Sequence, residues 1–240
     1  MLDVQPIIKT AQQAAEPKTI EIAGRTYAKK GELELITPPR PSVLAAATLQ
    51  GVVDYVKSLP DGESELFVHV QSPFLVSVNS APDQYANQRV CWLIAKAEER
   101  WCKNRQAGQY LSQEDLIIWL MQGFAPAADH ERLLAVVSTL KAENIVEATD
   151  NGLSQAVAVK TGIQSGYAEI KNPYRLQPYR TFAEIAPPLM TFVVRARNGK
   201  EKEPPQLALF DADAGLWEVT AVAAVKAWLA ERLPETTIIG

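Results

Sequence analysis

A chain of 240 residues, 47% apolar and 22% charged, is long enough to bury a real core and has the balance of a folded protein rather than a disordered one. No apolar run approaches the ~20 residues that cross a bilayer, and a formal charge of −4 argues against the broadly basic surface of a nonspecific duplex binder. Two cysteines, Cys91 and Cys102, are too few and too far apart for a zinc site and read as structural thiols.

The opening stretch, MLDVQPIIKTAQQAAEP, has neither a basic start nor a long apolar core, so a cytoplasmic location is expected. Residues 1–18 form an arm in which Ile7, Ile8, Ala11, Ala14 and Ala15 share a helical face. Such a helix is too short to hold alone. It is expected to dock on its own body or on a neighbouring subunit, which makes the chain a candidate homo-oligomer.

Thr19 to Tyr27 alternates through Ile20 and Ile22 to Gly24-Arg25, predicting a hairpin that Leu33 to Ile36 extends. Pro38, Pro39 and Pro41 end that sheet. Ser42 is expected to cap a helix running to Leu59, with Ala45, Leu49, Val52, Val53 and Val56 on one face and Pro60-Asp61-Gly62 as its stop. Glu65 to Val70 and Phe74 to Val78 predict adjacent strands about Gln71-Ser72-Pro73; Arg89 to Lys96 reads as a third, although Val90, Leu93, Ile94, Ala97 and Trp101 also fit a helix. His69 reads as a packed or solvent-facing strand residue, not a ligand.

Ser112 with Asp115 is a capping-box pattern for a helix through Leu116, Trp119 and Leu120 that breaks at Pro126. Asp129 is expected to cap the next helix, which carries Leu133, Val137 and Leu140 to Ile145 and stops at Asp150-Asn151-Gly152. A DNA-binding helix-turn-helix is disfavoured, because no tight glycine turn joins the two and the second exposes Glu131, Arg132, Lys141 and Glu143. From Gln155 the chain turns β-rich: strands are predicted around Val157 to Thr161, Tyr167 to Ile170, Met190 to Arg197 and Leu207 to Phe210. A turn over Asp211-Ala212-Asp213-Ala214-Gly215 leads to a closing helix after Thr220, with Val222, Val225, Trp228 and Leu229 on its buried side.

The fold class expected is α+β, with mostly antiparallel sheets, about four helices, and a β-rich C-terminal half closed by a helix. Three parts are expected: the arm 1–18, an α+β half 19–152 and a β-rich half 153–240, the last two possibly one domain.

Chemistry is sparsely signalled. Asp211 and Asp213 could offer two hard oxygen ligands to magnesium, the weak candidates for a metal-dependent enzyme, but an acid-glycine turn explains them more simply. Lys160-Thr161-Gly162 matches one short element of penicillin-binding enzymes and is read as incidental. There is no Gly-x-Gly-x-x-Gly, phosphate loop or Gly-x-Ser-x-Gly elbow, and two histidines give little for a triad. No cofactor is expected, and an enzyme is the minority reading.

The densest cluster of prolines, rings and cations lies in Lys171 to Arg197, KNPYRLQPYRTFAEIAPPLMTFVVRAR. Within it Lys171, Tyr174, Arg175, Tyr179 and Arg180 interleave cations with aromatics, the chemistry that stacks on bases while neutralising phosphate. The competing reading is structural: Pro173 and Pro178 hold the piece extended, the tyrosines pack, and the arginines pair with acids such as Glu184. The binding reading requires Tyr174, Arg175, Tyr179 and Arg180 to be exposed.

Ser154-Gln155-Ala156-Val157, Val159-Lys160-Thr161-Gly162-Ile163, Asn172-Pro173, Pro178-Tyr179-Arg180-Thr181-Phe182 and Phe192-Val193-Val194-Arg195 resemble proteins encoded by phages and prophages, and are more distantly similar to the YfdQ-like prophage proteins. The likeness runs from Thr48-Leu49-Gln50-Gly51 to the closing helix. It implies a phage origin and no established activity, so it assigns no catalytic residue. The function expected is a non-enzymatic phage protein of the host cytosol that self-associates and binds single-stranded nucleic acid or a nucleotide-like partner. An inhibitor of a host antiviral defence protein is the alternative.

Overall fold

The computed structural model describes residues 5, 10, 19–30, 32–35, 41–60, 65–82, 89–98, 100–101, 106–139, 154–161, 164–198 and 205–240. The rest of the arm, Cys102, Ile145 and the stop at 150–152 lie outside the described residues. In chain order the elements are β1 (Thr19–Ile22), β2 (Arg25–Lys30), β3 (Glu32–Leu35), β4 (Leu44–Ala46), α1 (Leu49–Ser58), β5 (Leu66–Ser72), β6 (Leu75–Ser80) and β7 (Cys91–Lys96). Then come α2 (Gln113–Gly123), α3 (Ala128–Ser138), β8 (Ser154–Thr161), β9 (Gln164–Lys171), β10 (Tyr174–Leu176), β11 (Met190–Arg197), β12 (Gln206–Asp211), α4 (Leu216–Arg232) and β13 (Thr237–Ile239). The class is α+β with mainly antiparallel pairing, as the sequence predicts.

β1, β2 and β3 form an antiparallel sheet whose first turn is Ala23-Gly24, both residues at positive φ. That primed turn matches the twist of the strands it joins, and Gly24 adopts it without strain. β8 and β9 make a separate hairpin, and β10, β11 and β12 a three-stranded antiparallel sheet.

The remaining sheet is mixed, in the order β13-β5-β6-β7-β4. Its centre is the expected antiparallel meander, but both edges pair in parallel, β13 with β5 and β4 with β7. Neither edge strand is predicted from sequence, because each is three residues long and shows no usable alternation.

Three local expectations are corrected. The helix expected from Ser42 begins at Leu49, since Leu44–Ala46 pairs with Leu93, Ile94 and Ala95 as a strand. The alanines there favour helix, but the sheet edge supplies pairing that local propensity cannot outweigh. Thr48 is the true cap, its hydroxyl accepting from Gly51 N at 3.1 Å. Asp129 is not the cap of α3; Ala127 holds that place, and Asp129 Oδ2 in the first turn accepts from Arg175 N at 2.7 Å. α4 starts four residues before Thr220, whose hydroxyl donates back to the Leu216 carbonyl at 3.0 Å.

Two clusters of buried side chains hold the chain together. The first joins α2 and α3 to β10, β11 and β12, around Trp101, Trp119, Phe124, Tyr174 and Phe192. Trp119 Nε1 donates to the Trp101 carbonyl, and Trp101, Phe124 and Phe192 meet edge to face or tilted. The second packs α1 and the C-terminal half of α4 on one face of the mixed sheet, through Val52, Val53, Val68, Val76, Val78 and Val225. Along the chain the buried residues pass from one cluster to the other near residue 100, and two later segments cross back. The piece from Asn172 to Ile185 is one: Tyr174 belongs to the first cluster, Phe182 and Ile185 to the second. α4 is the other, with Trp217 and Ala221 in the first and Val225 and Leu229 in the second.

Candidate functional site

The cation-aromatic segment is built into this join. Asn172 completes the edge of β11 through its side chain, its Nδ2 donating to Val194 O at 2.9 Å and its Oδ1 accepting from Val194 N at 2.8 Å. Tyr174 is fully buried, with the Arg132 guanidinium 4.5 Å above its ring. Tyr179 N donates to Gly123 O at 2.9 Å, and the Thr181 hydroxyl to Pro73 O at 2.6 Å, stitching the strap to one cluster and then the other.

Arg180 is the centre of the strap. Its guanidinium lies between the rings of Trp101 and Trp217, at 3.8 and 4.4 Å, and bonds Asp211 Oδ2 at 3.2 Å. The exposure that binding requires is thus absent at Tyr174 and Arg180. Lys171 and Arg175 are exposed, and Tyr179 is half-buried beside a cleft of about 270 Å³ that also touches Thr48, Arg100 and Thr181. The expected site does not assemble: Lys171 and Arg175 line no part of that cleft, and two of the five groups are used internally.

The carboxylate pair is likewise engaged. Asp211 holds Arg180, and Asp213 Oδ1 accepts from Gly215 N at 3.2 Å within the turn. Among the described residues no three His, Cys, Asp or Glu side chains gather as a metal site. A Ser-x-x-Lys pattern that could accompany Lys160-Thr161-Gly162 does occur, at Ser138 to Lys141. Ser138 ends α3 and donates to Leu134 O at 2.7 Å, and Lys141 lies outside the described residues. His130 is buried with Nε2 2.9 Å from Leu120 O, which fixes the proton on that nitrogen in a packing role.

A larger site lies on the mixed sheet. Val68, Val70, Val76, Val78, Leu93 and Ala95 face the helices, so by the period of two the intervening residues occupy the other face. There the registers set Ile239, His69, Ser77 and Ile94 in one row, and Thr237, Phe67 and Asn79 in the next. The surface is an open concavity of about 810 Å³ that extends to Gln71, Arg89, Glu65 and Glu235.

Its chemistry is mixed by design of the register. Gln71 Nε2, from the neighbouring strand, and Asn79 Nδ2, from the same strand, each donate to Ser77 Oγ at 2.8 Å, which fixes both amides. The Arg89 guanidinium sits 5.0 Å from the Phe67 ring centroid. Phe67 and His69 are two residues apart on one strand, so their side chains leave the backbone about 7 Å apart on the same face. No family model, curated protein or solved structure matches the chain. The site therefore rests on its own geometry. Sequence reasoning missed it, though a signal was present: the outward half of the alternation in 66–79 is aromatic and amide, not the lysine and glutamate of an ordinary solvated face.

Proposed function

We propose that this is a non-enzymatic phage or prophage protein that binds single-stranded nucleic acid in the host cytosol, with the face of the mixed sheet opposite α1 and α4 as its binding surface. The observation that carries this reading is Phe67 under the Arg89 guanidinium, with His69 on the same surface and two amides fixed on Ser77 beside them. Aromatic side chains that leave one strand face about 7 Å apart suit successive bases of an extended strand. A guanidinium beside the first ring is placed for phosphate, and Gln71 and Asn79 offer the amide groups that read base edges. The phage origin is supported by the sequence resemblance alone. The segment 171–180 keeps Lys171 and Arg175 as outlying phosphate contacts, no longer as the stacking platform.

The test is fluorescence anisotropy with a labelled single-stranded oligonucleotide over a range of salt. Binding should weaken as salt rises, and Arg89→Ala should lower the logarithmic salt slope by about 1. Phe67→Ala and His69→Ala should each weaken binding by ~1–3 kcal/mol, the scale of one stacked base, while leaving that slope unchanged. Salt-independent affinity, or none, rejects nucleic acid as the partner; capture of a host protein that Phe67→Ala abolishes then points to the inhibitor reading.

A further inference from the structure

Ser77 is the buried point to which both amides of the mixed-sheet surface are tied. It is 1% exposed, although the register sets it on the outward face beside His69 and Ile94. Gln71 Nε2 reaches its Oγ from β5 and Asn79 Nδ2 from β6, each at 2.8 Å. A hydroxyl has one proton to give and two lone pairs to receive. At least one of two amides that share it must therefore meet it through nitrogen, and here both do. The nitrogen and oxygen of an amide leave one carbon in different directions, so each carbonyl turns away from Ser77. Among the described residues nothing donates to Gln71 Oε1 or Asn79 Oδ1.

We propose that Ser77 is a positioning residue that gives this surface a base preference, an inference that rests on the nucleic-acid reading of the face. The two outward carbonyls select bases that carry an exocyclic amino group, such as cytosine and adenine, over uracil and thymine. Stacking on Phe67 and His69 and phosphate contact at Arg89 are blind to sequence, since every nucleotide has a π-face and a phosphate. Identity is read at the base edge. There cytosine offers its N4 amino group and adenine its N6 amino group, both donors to a carbonyl oxygen. Uracil and thymine flank their one edge donor, N3–H, with two carbonyl oxygens, which an amide oxygen repels. An amide free to rotate would answer either edge by presenting its nitrogen. Held on Ser77, it presents its oxygen.

The register sets Asn79 directly across from Phe67, and Gln71 follows His69 on the same face, so each ring has an acceptor beside it. Residues 83–88, outside the described part, join β6 to β7 next to Asn79. Gln71 is exposed at the other end of the surface, by the turn between β5 and β6, so the acceptor it offers does not depend on them.

The experiment is fluorescence anisotropy with labelled oligomers of deoxycytidine and deoxyuridine of equal length, whose rings match in size and differ at the amino or carbonyl edge. The wild type should bind the deoxycytidine oligomer about tenfold more tightly, the scale of one well-made base contact. Ser77→Ala, which frees both amides, and Gln71→Leu, which removes one carbonyl, should each bring the two affinities toward parity. Because Gln71 is exposed, its variant tests the preference whether or not Ser77→Ala folds. Gln71→Glu, which keeps an outward acceptor, should preserve the ratio while its charge weakens both oligomers, and Arg89→Ala should weaken both alike. Equal affinities in the wild type, or tighter binding of deoxyuridine, overturn the preference and leave the nucleic-acid reading standing. A ratio that survives both Ser77→Ala and Gln71→Leu overturns the amides as its source. Binding of neither oligomer overturns the nucleic-acid reading and the preference with it.

Discussion

The Arg180 guanidinium stands over both the Trp101 and the Trp217 ring and bonds Asp211, a combination that suits a planar guanidinium better than an ammonium. Arg180→Lys should therefore cost ~2 kcal/mol in urea denaturation, and Arg180→Ala, which removes both ring contacts and their packing, ~3 kcal/mol. Oligonucleotide affinity of the folded variants should be unchanged; a loss of affinity without a loss of stability would return Arg180 to the binding surface. Nothing in the sequence separates these outcomes, since a ring beside an arginine is the same pattern in a stacking platform and in a buried sandwich. What decides it is Trp101 and Trp217, each distant along the chain. Cys91 is the other residue with a testable chemistry. Burial pushes its thiol above the ordinary thiol range. The folded state then favours the neutral thiol, so this contribution to stability is present below the ordinary thiol pKa and is lost as pH rises through the higher folded value. In a Cys102→Ser background, the urea midpoint should fall with alkaline pH more steeply than in the same chain carrying Cys91→Ala.

At the scale of elements, legibility follows the length of the pattern. The central meander β5-β6-β7, the hairpin β1-β2 and the capping box of α2 are readable because each rests on several consecutive residues, and Ser112 does accept from Asp115 N at 3.1 Å. The errors fall where one residue had to decide between two structures. Ser42 and Thr48 are both credible caps, and only the partner strand β7 makes the chain wait until Thr48. Thr48→Ala should accordingly cost ~1 kcal/mol, while Ser42→Ala should leave stability unchanged, both by urea titration. Equal losses would extend the helix back to Ser42. Asp129 shows the same limit: its carboxylate looks like a local cap, yet it is used 46 residues away on Arg175 N.

At the scale of the molecule, the chain visits two clusters in turn and then crosses back twice, along the strap at 172–185 and along α4. The second half does turn β-rich after 152, as composition suggests, and the two clusters of buried side chains each draw on both halves. The crossings have a thermodynamic consequence. Loss of the first cluster frees the anchor for Phe182 and Ile185 and unseats the N-terminal half of α4, so the helix layer over the mixed sheet loses its support as well. Leu176→Ala in the first cluster and Leu49→Ala in the second, both fully buried, should each cost ~2–5 kcal/mol. Because the strap and α4 are shared, that loss should appear across the whole chain. In hydrogen exchange followed by mass spectrometry, Leu176→Ala should lower protection in α1 and β6 as much as in β10 and β11. Protection lost in α2, α3 and β10 to β12 alone would mean that the clusters open independently and that the strap is a tether between them. In that case Arg180, which lies on the strap between the two, would be stabilising a contact that the rest of the molecule does not need in order to fold.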